Sequence, residues 1–223
     1  MSPKLEDRLG QFTMAGLFSY LLFVKAQSFL ARLPNGQNDL RGLLHVMQDL
    51  LSLAFVGMVV VMTIRRLPAT RGPSGIEPRV TAIGGTFALM LLVALPPGQA
   101  PLAAQLAAVT LMALGLAGSL YALWHLGRAF SIAPTARELV TSGPYGIVRH
   151  PLYLTEAVTT AGVIIAFWSW PAVALGLFQL ALQCRRIGHE EQVLRDAFPA
   201  GYDAYAARVP QLLPRLRRQS APA

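Results

Sequence analysis

Apolar residues run along this chain in blocks too long and too uniform for the two-sided pattern of a soluble helix. Four blocks are candidates to cross ~30 Å of hydrocarbon at about 1.5 Å per residue, three at full length and one somewhat short of it. They are about Phe12 to Leu33, Leu43 to Ile64, Val80 to Leu95 and Leu102 to Leu123. A fifth block, Leu152 to Gln183, is too long for one crossing and breaks at Trp168-Ser169-Trp170-Pro171. Two interfacial aromatics ahead of a proline mark a turn near the far interface, so this block reads as a helical hairpin. The pattern predicts an all-α polytopic membrane protein of about five to six transmembrane helices. The last is short, and its helix is expected to continue out of the membrane through Arg185 to Phe198. Residues 1–123 are then N-terminal transmembrane helices, 124–214 hold the hairpin and most of the polar residues, and 215–223 form a basic tail.

Composition supports lipid as the covering medium: 54% of the 223 residues are hydrophobic and 13% charged, against about 25% charged in a soluble chain. The first block is expected to be mature structure rather than a secretory signal. Glu6 and Asp7 dilute its leader, Lys25 interrupts it, and Ala31-Arg32-Leu33 is a poor cleavage site. Of the nineteen Lys and Arg, sixteen fall on the side of the N-terminus, leaving Arg32 and Arg41 opposite and Lys25 within a span. The positive-inside rule then predicts both termini in the cytoplasm, in a bacterial inner membrane if the Ala-, Leu- and Arg-rich composition reflects its source. The segments 124–151 and 185–223 share that face. The net charge of +8 is explained by topology, and no groove-reading or stacking element suggests nucleic acid. One cysteine, Cys184, and histidines at 45, 125, 150 and 189 offer no metal-ligand spacing, so no metal is expected. The tail arginines Arg215, Arg217 and Arg218 are expected to fray and to touch anionic headgroups.

Two polar segments carry the candidate chemistry. In the first, Ser142-Gly143-Pro144-Tyr145-Gly146 precedes Val148-Arg149-His150-Pro151-Leu152-Tyr153. Pro151 suits the first turn of a helix and pushes His150 towards an extended conformation. Arg149 and His150 therefore stand at a helix entrance, where free amides and the guanidinium form a seat for a carboxylate or phosphate. Tyr145 and Tyr153 offer ring faces to a cation. The plainer reading of Arg149 and His150 is interfacial snorkelling, and the neighbouring glycines and tyrosines weigh against it. In the second segment, Arg186, Glu190 and Leu194 lie on one helical stripe, while Glu191 is turned about 100° away towards Arg195. Only one of the two glutamates can lead into a given pocket; the plainer reading is a solvated helix with i, i+4 ion pairs. Within the membrane, Glu156 lies about one turn below the Arg149-His150 entrance. Lys25, His45 and Asp49 are expected to pair between helices, and Ala113 with Ala117 and Gly115 with Ser119 to permit close helix contact.

Ser142-Gly143-Pro144-Tyr145, Val148-Arg149-His150-Pro151-x-Tyr153, and the downstream Glu190-Glu191-x-x-Leu194 with Phe198, Tyr202, Tyr205 and Val209-Pro210 resemble the isoprenylcysteine carboxyl methyltransferase and phospholipid methyltransferase superfamily of integral membrane enzymes. The resemblance covers about residues 124–214, which makes this the methyltransferase-like region. It implies S-adenosylmethionine as methyl donor, held at the cytoplasmic edge in a pocket open laterally to lipid. It implies that Gly143, Pro144, Tyr145, Arg149, His150, Tyr153, Glu190 and Glu191 line the cofactor site and that Arg186 approaches the acceptor. The catalytic candidates are thus Arg186, Glu190 and Glu156. The chain departs from the family in Pro199-Ala200, where many members have glycine, and in Glu156 within an apolar helix.

Methyl transfer from a sulfonium needs in-line placement rather than a metal or redox centre, and proximity supplies ~7 to 11 kcal/mol. A carboxylate acceptor is already ionised at neutral pH, whereas an ammonium must first lose a proton, to Glu156 or His150. The acceptor implied is a membrane lipid or other lipophile: an isoprenylcysteine-like carboxylate, a phospholipid amine, or another small lipophile. Two other classes remain open. One is an NADPH-dependent integral membrane reductase with a similar Arg-His element, the other a non-catalytic membrane scaffold.

Overall fold

The computed structural model describes residues 3–32, 40–94 and 98–214. The expected tail contacts of 215–223 and the far-side loop at 33–39 lie outside the described residues. The chain is an all-α membrane protein: α1 spans Pro3–Arg32, α2 Leu40–Arg65, α3 Glu77–Phe87, α4 Leu102–Leu126, α5 Pro151–Phe167, α6 Trp170–Ala197 and α7 Pro199–Arg208. Among the described residues, three helical runs are long and apolar enough to cross a membrane, Asp7–Ala31, His45–Arg65 and Leu102–Ala129.

The remaining apolar blocks depart from straight spans in ways their residues explain. The block expected at Val80 to Leu95 is α-helical only to Phe87 and then tightens into a 3₁₀ helix over Ala88–Ala94. The tighter helix rises about 2.0 Å per residue instead of about 1.5 Å, so Glu77–Ala94 as a whole covers about 30 Å. The fifth block is a hairpin, as its aromatic-proline break predicts. Trp168 closes α5 in the left-handed region (φ 44), Ser169 is extended, and Pro171 sits in the first turn of α6. Beyond the hairpin α6 runs on without interruption to Ala197.

The helices pack in the order α1, α2, α4, α5, α6, α3. Phe18 on α1 meets Phe87 on α3 with ring centroids 5.9 Å apart, which closes the sequence into a ring. The tightest wall is α4 against α5, where Gly115 leaves no room for a side chain: a Cβ there would stand 2.7 Å from the backbone nitrogen of Thr159. One turn on, the Ser119 and Thr155 hydroxyls hydrogen-bond at 2.8 Å. The small residues thus do what their spacing predicts, letting backbones approach so that hydroxyls pair across the interface. Of the alanines, Ala113 is buried and Ala117 is exposed, so only one serves that contact.

One end of the ring gathers nearly all the ordered polar connections. Asp7 at the start of α1 takes salt bridges from Arg66 at 2.8 Å and Arg137 at 2.7 Å. The segment after α2 pairs with the segment after α4: Leu67 N–H donates to Arg128 C=O, and Arg71 and Ala136 form a short antiparallel bridge. Glu77 at the start of α3 reaches Arg185 and His189 on the extension of α6. The segments 124–151 and 185–214 therefore occupy the same face of the bundle.

Candidate active site

The ring encloses a cavity of about 710 Å³, with walls drawn from all six of its helices and from α7. Its interior end is mostly apolar, lined by Phe18 and Leu21 of α1 and Phe55 and Val56 of α2, with Lys25 and Ser28 among them. Its other end carries Tyr145, Arg149, His150, Tyr153, Glu156, Arg186 and Glu190, so seven of the residues expected at the site share one wall. Gly143, Pro144 and Glu191 are not part of that wall.

These absences have structural causes. Gly143 has φ +59, and a Cβ there would fall 2.1 Å from the His125 ring carbon Cδ2. The glycine makes a left-handed turn against a packed imidazole, and Pro144 starts the short 3₁₀ turn Gly143–Gly146 that swings Tyr145 inward. Burial foremost, with the nearby Glu190 carboxylate, pushes the Tyr145 hydroxyl well above its ordinary pKa, so it stays neutral.

Glu191 lies behind the wall and binds its own chain. Arg149 approaches Glu191 Oε1 with Nε at 3.0 Å and Nη2 at 2.9 Å, and His150 Nε2 and Gln211 Nε2 each reach the same oxygen at 3.1 Å. The sequence expectation that Glu191 faces Arg195 is corrected here, because Arg195 pairs with Asp203 at 2.9 Å. Burial alone would raise the Glu191 pKa, but the hydrogen bonds from His150, Gln211 and Arg149 overcome it and hold the carboxyl at about 2. Arg149 also donates from Nη1 to the carbonyls of Ala206 at 3.0 Å and Val209 at 2.7 Å.

The anion seat expected at the entrance of α5 is therefore largely filled by the protein itself. The backbone amides of Arg149 and His150 donate to Pro210 and Gln211, which leaves neither free. His150 Nε2 is likewise committed to Glu191, so it does not offer that nitrogen as a base to the cavity. Behind this strap Tyr202, Tyr205 and Val209 bury against Leu139, Leu194 and Phe198, and the Tyr205 hydroxyl donates to the Tyr145 carbonyl at 2.6 Å.

Opposite the strap the polar groups are less occupied. Arg186 on α6 donates from Nη2 to the Ile132 carbonyl at 3.1 Å and lies over the Tyr153 ring at 5.2 Å, while its Nε is buried without a partner. The Tyr202 hydroxyl is buried and unpartnered as well. Glu156 Oε2 accepts from Gln183 Nε2 at 2.8 Å. Below it, Thr160 donates to Gln179 Oε1 at 2.8 Å, and Gln179 Nε2 reaches the Gly85 carbonyl at 3.2 Å.

Several of these partners carry no signal in the sequence. Gly85 fits because a Cβ there would be 3.0 Å from Arg186 Cδ, so α3 passes close enough to flank the guanidinium. Gln179 and Gln183 recur on the Arg186 stripe at helical spacing, and that polar stripe was the one available clue. Arg137 and Asp7 meet across 130 residues, with no local pattern to announce them.

A family model described as phospholipid methyltransferase matches residues 103–201. The nickel-cobalt-cadmium resistance protein NccN of Alcaligenes xylosoxydans xylosoxydans is 30% identical over 173 residues, covering 70% of this chain and 76% of that protein. Methanethiol S-methyltransferase 2 of Bradyrhizobium diazoefficiens is 43% identical over 77 residues, 32% of this chain and 27% of that protein. The cobalt-zinc-cadmium resistance protein CzcN of Cupriavidus metallidurans is 36% identical over 109 residues, 48% of this chain and 50% of that protein. The chain thus spans half or less of the last two relatives.

Proposed function

This chain belongs to the isoprenylcysteine carboxyl methyltransferase and phospholipid methyltransferase superfamily of integral membrane methyltransferases, and from that premise we propose that it uses S-adenosylmethionine to methylate a lipophilic acceptor drawn from the membrane. The observation that carries this reading is the single cavity that joins a polar, aromatic end to an apolar end within the ring of helices. Residues 124–214 form the catalytic region and 1–123 complete the acceptor chamber. On this reading the polar end lies at the cytoplasmic face of a bacterial inner membrane, where the donor is made, and the distribution of arginines supports that orientation.

The cavity residues fit the donor. Its sulfonium and amino groups are cationic and suit Glu190 and the ring of Tyr145. The unpartnered Arg186 Nε is a buried polar atom that a bound ligand would satisfy. Arg149, His150 and Glu191 act behind them as positioning residues, tying the segment 206–211 over the entrance of α5. When bound, the donor supplies an electrophilic methyl group. The protein orients it, excludes water and handles the acceptor's proton.

Two relatives are named for metal resistance. Among the described residues of this chain, no three His, Cys, Asp or Glu side chains converge into a ligand set. Methyl transfer is what we carry over from the family.

The test is calorimetric titration of the purified protein with S-adenosylmethionine and, separately, NADPH, followed by incubation with radiolabelled donor and total membrane lipid. Donor binding with label in the lipid fraction is the expected result. Binding of NADPH alone would replace this reading with a reductase, and binding of neither would remove the enzymatic one.

A further inference from the structure

The cavity sets one carboxylate and one guanidinium where they report what kind of group is methylated. Glu156 is held by Gln183 through Oε2, and among the described residues its Oε1 has no hydrogen-bond partner. Gln183 and Arg186 are three apart on α6 and share a face. Arg186 is 8% exposed, keeps Nε without a partner, and has Glu156 and Glu190 as its acidic neighbours.

Each acceptor chemistry demands something different of this pair. A carboxylate ionises near pH 4, so it needs no base at neutral pH, and here it would share the Arg186 guanidinium with two glutamates, the cavity's Lys25 having a partner of its own. An ammonium needs a base but is repelled by Arg186, and the Tyr153 ring face that would seat a cation is already covered by that guanidinium. A thiol has a pKa of about 8.5, so near pH 7 it is mostly neutral and must lose a proton to become the nucleophile. Deprotonation asks for a base and leaves an anion that asks for a cation beside it. Only the thiol uses both groups. The wall beyond them is mostly apolar through Leu21, Val24 and Phe55, with Lys25 and Ser28 among them, which suits a hydrocarbon chain.

Resting on the donor-dependent reading above, we propose that the acceptor is a lipophilic thiol, with Glu156 Oε1 taking the S–H proton and Arg186 Nε stabilising the thiolate. The thiolate's electron pair makes the new sulfur–carbon bond as the bond between the methyl group and the donor sulfur breaks, its pair staying on that sulfur. One cation and one anion become two neutral thioethers, and the proton passes from Glu156 to water.

The test offers the purified protein three acceptors with the same chain, dodecanethiol, dodecanoate and dodecylamine, with radiolabelled donor. Dodecanethiol should be labelled on the order of 100-fold faster than either. Glu156→Gln should bind the donor within about twofold of the unchanged protein by calorimetry, yet lose ~100-fold in thiol methylation at neutral pH. That loss should shrink as the pH rises towards the thiol's own pKa. Without donor, the ultraviolet absorbance of bound dodecanethiolate should appear at lower pH than in the Arg186→Gln variant. Faster labelling of dodecanoate or dodecylamine, a loss in Glu156→Gln that ignores pH, or an unshifted thiolate titration overturns the thiol assignment. Failure of the unchanged protein to bind the donor instead overturns the proposed function.

Discussion

Glu190 and Glu191 are adjacent and chemically identical, and the helix that carries both turns them about 100° apart. Glu190 opens on the cavity. Glu191 lies behind it, where Arg149, His150 and Gln211 converge on one oxygen. The same division separates the two arginines: Arg149 is saturated by Glu191 and two carbonyls, whereas Arg186 retains a buried unpartnered nitrogen. A saturated polar cluster holds segments together. An unsaturated one keeps hydrogen-bonding capacity that a ligand can complete, because a buried polar group left unpaired costs about 1 to 3 kcal/mol. The residues that dominate the motif are thus divided between architecture and binding.

The strongest way to break this comparison is Arg149→Ala. It removes every guanidinium contact to Glu191 and to the carbonyls of Ala206 and Val209, and strands a carboxylate whose side chain is 14% exposed. Breaking one partner of such a pair costs about 3 to 5 kcal/mol. The variant should show a much lower Tm in detergent and little donor binding. Arg149→Lys should recover only part of the loss, since an ammonium cannot reproduce the guanidinium fork. A variant of normal Tm with impaired binding alone would move Arg149 to the binding side.

That division also shows which parts of the molecule were legible in the sequence. The spans and the Trp168–Pro171 break were readable because lipid imposes a length and an apolar surface that each segment must satisfy alone. The convergence of the two polar segments was readable from charge sidedness. What was not readable depends on partners distant in the chain. The resemblance implied Gly143 in the lining of the cofactor site, but the object it approaches is the His125 ring. Arg149 looked like an anion seat because nothing in its own segment reveals Ala206 and Val209 as acceptors 57 and 60 residues away. The placing of α3 against α6, rather than beside α2, likewise follows from Gly85 meeting Arg186 and has no signature of its own.

Acidity offers the next largest effect and reaches the saturated cluster through Glu191. The folded Glu191 carboxyl is held at about 2, below the ordinary glutamate value of 4.5. For a depressed acid the stabilisation is fully present above the unfolded pKa and is lost as pH falls through the folded one. Glu191 therefore contributes at most about 3 kcal/mol above about pH 4.5, declining towards pH 2. Tm measured across that window should fall more steeply in the unchanged protein than in Glu191→Gln. Parallel curves would mean that Glu191 is not what the strap depends on.

The unsaturated side should answer to binding rather than stability. Glu190→Gln keeps shape and removes a charge that faces the cavity, so donor affinity should weaken about tenfold, or about 1.4 kcal/mol, with Tm nearly unchanged. Glu191→Gln should do the reverse. Calorimetry and thermal denaturation on both variants form a crossed test, and a lowered Tm in Glu190→Gln would erase the distinction between the two glutamates.

The smallest effect is expected where the sequence placed Glu191's partner. Arg195 instead bonds Asp203 at 2.9 Å, with side chains 51% and 63% exposed. This contact is as short as those of the Arg149 cluster, so distance alone would rank the two alike. Water separates them: an exposed pair gives up little hydration on breaking and loses side-chain entropy in forming. Asp203→Asn should leave Tm and donor affinity unchanged within error, at low and high salt alike. A fall in Tm comparable to that of Glu191→Gln would show that α7 is held to α6 by its outer surface. In that case the strap beneath would be a consequence of that docking and not its cause.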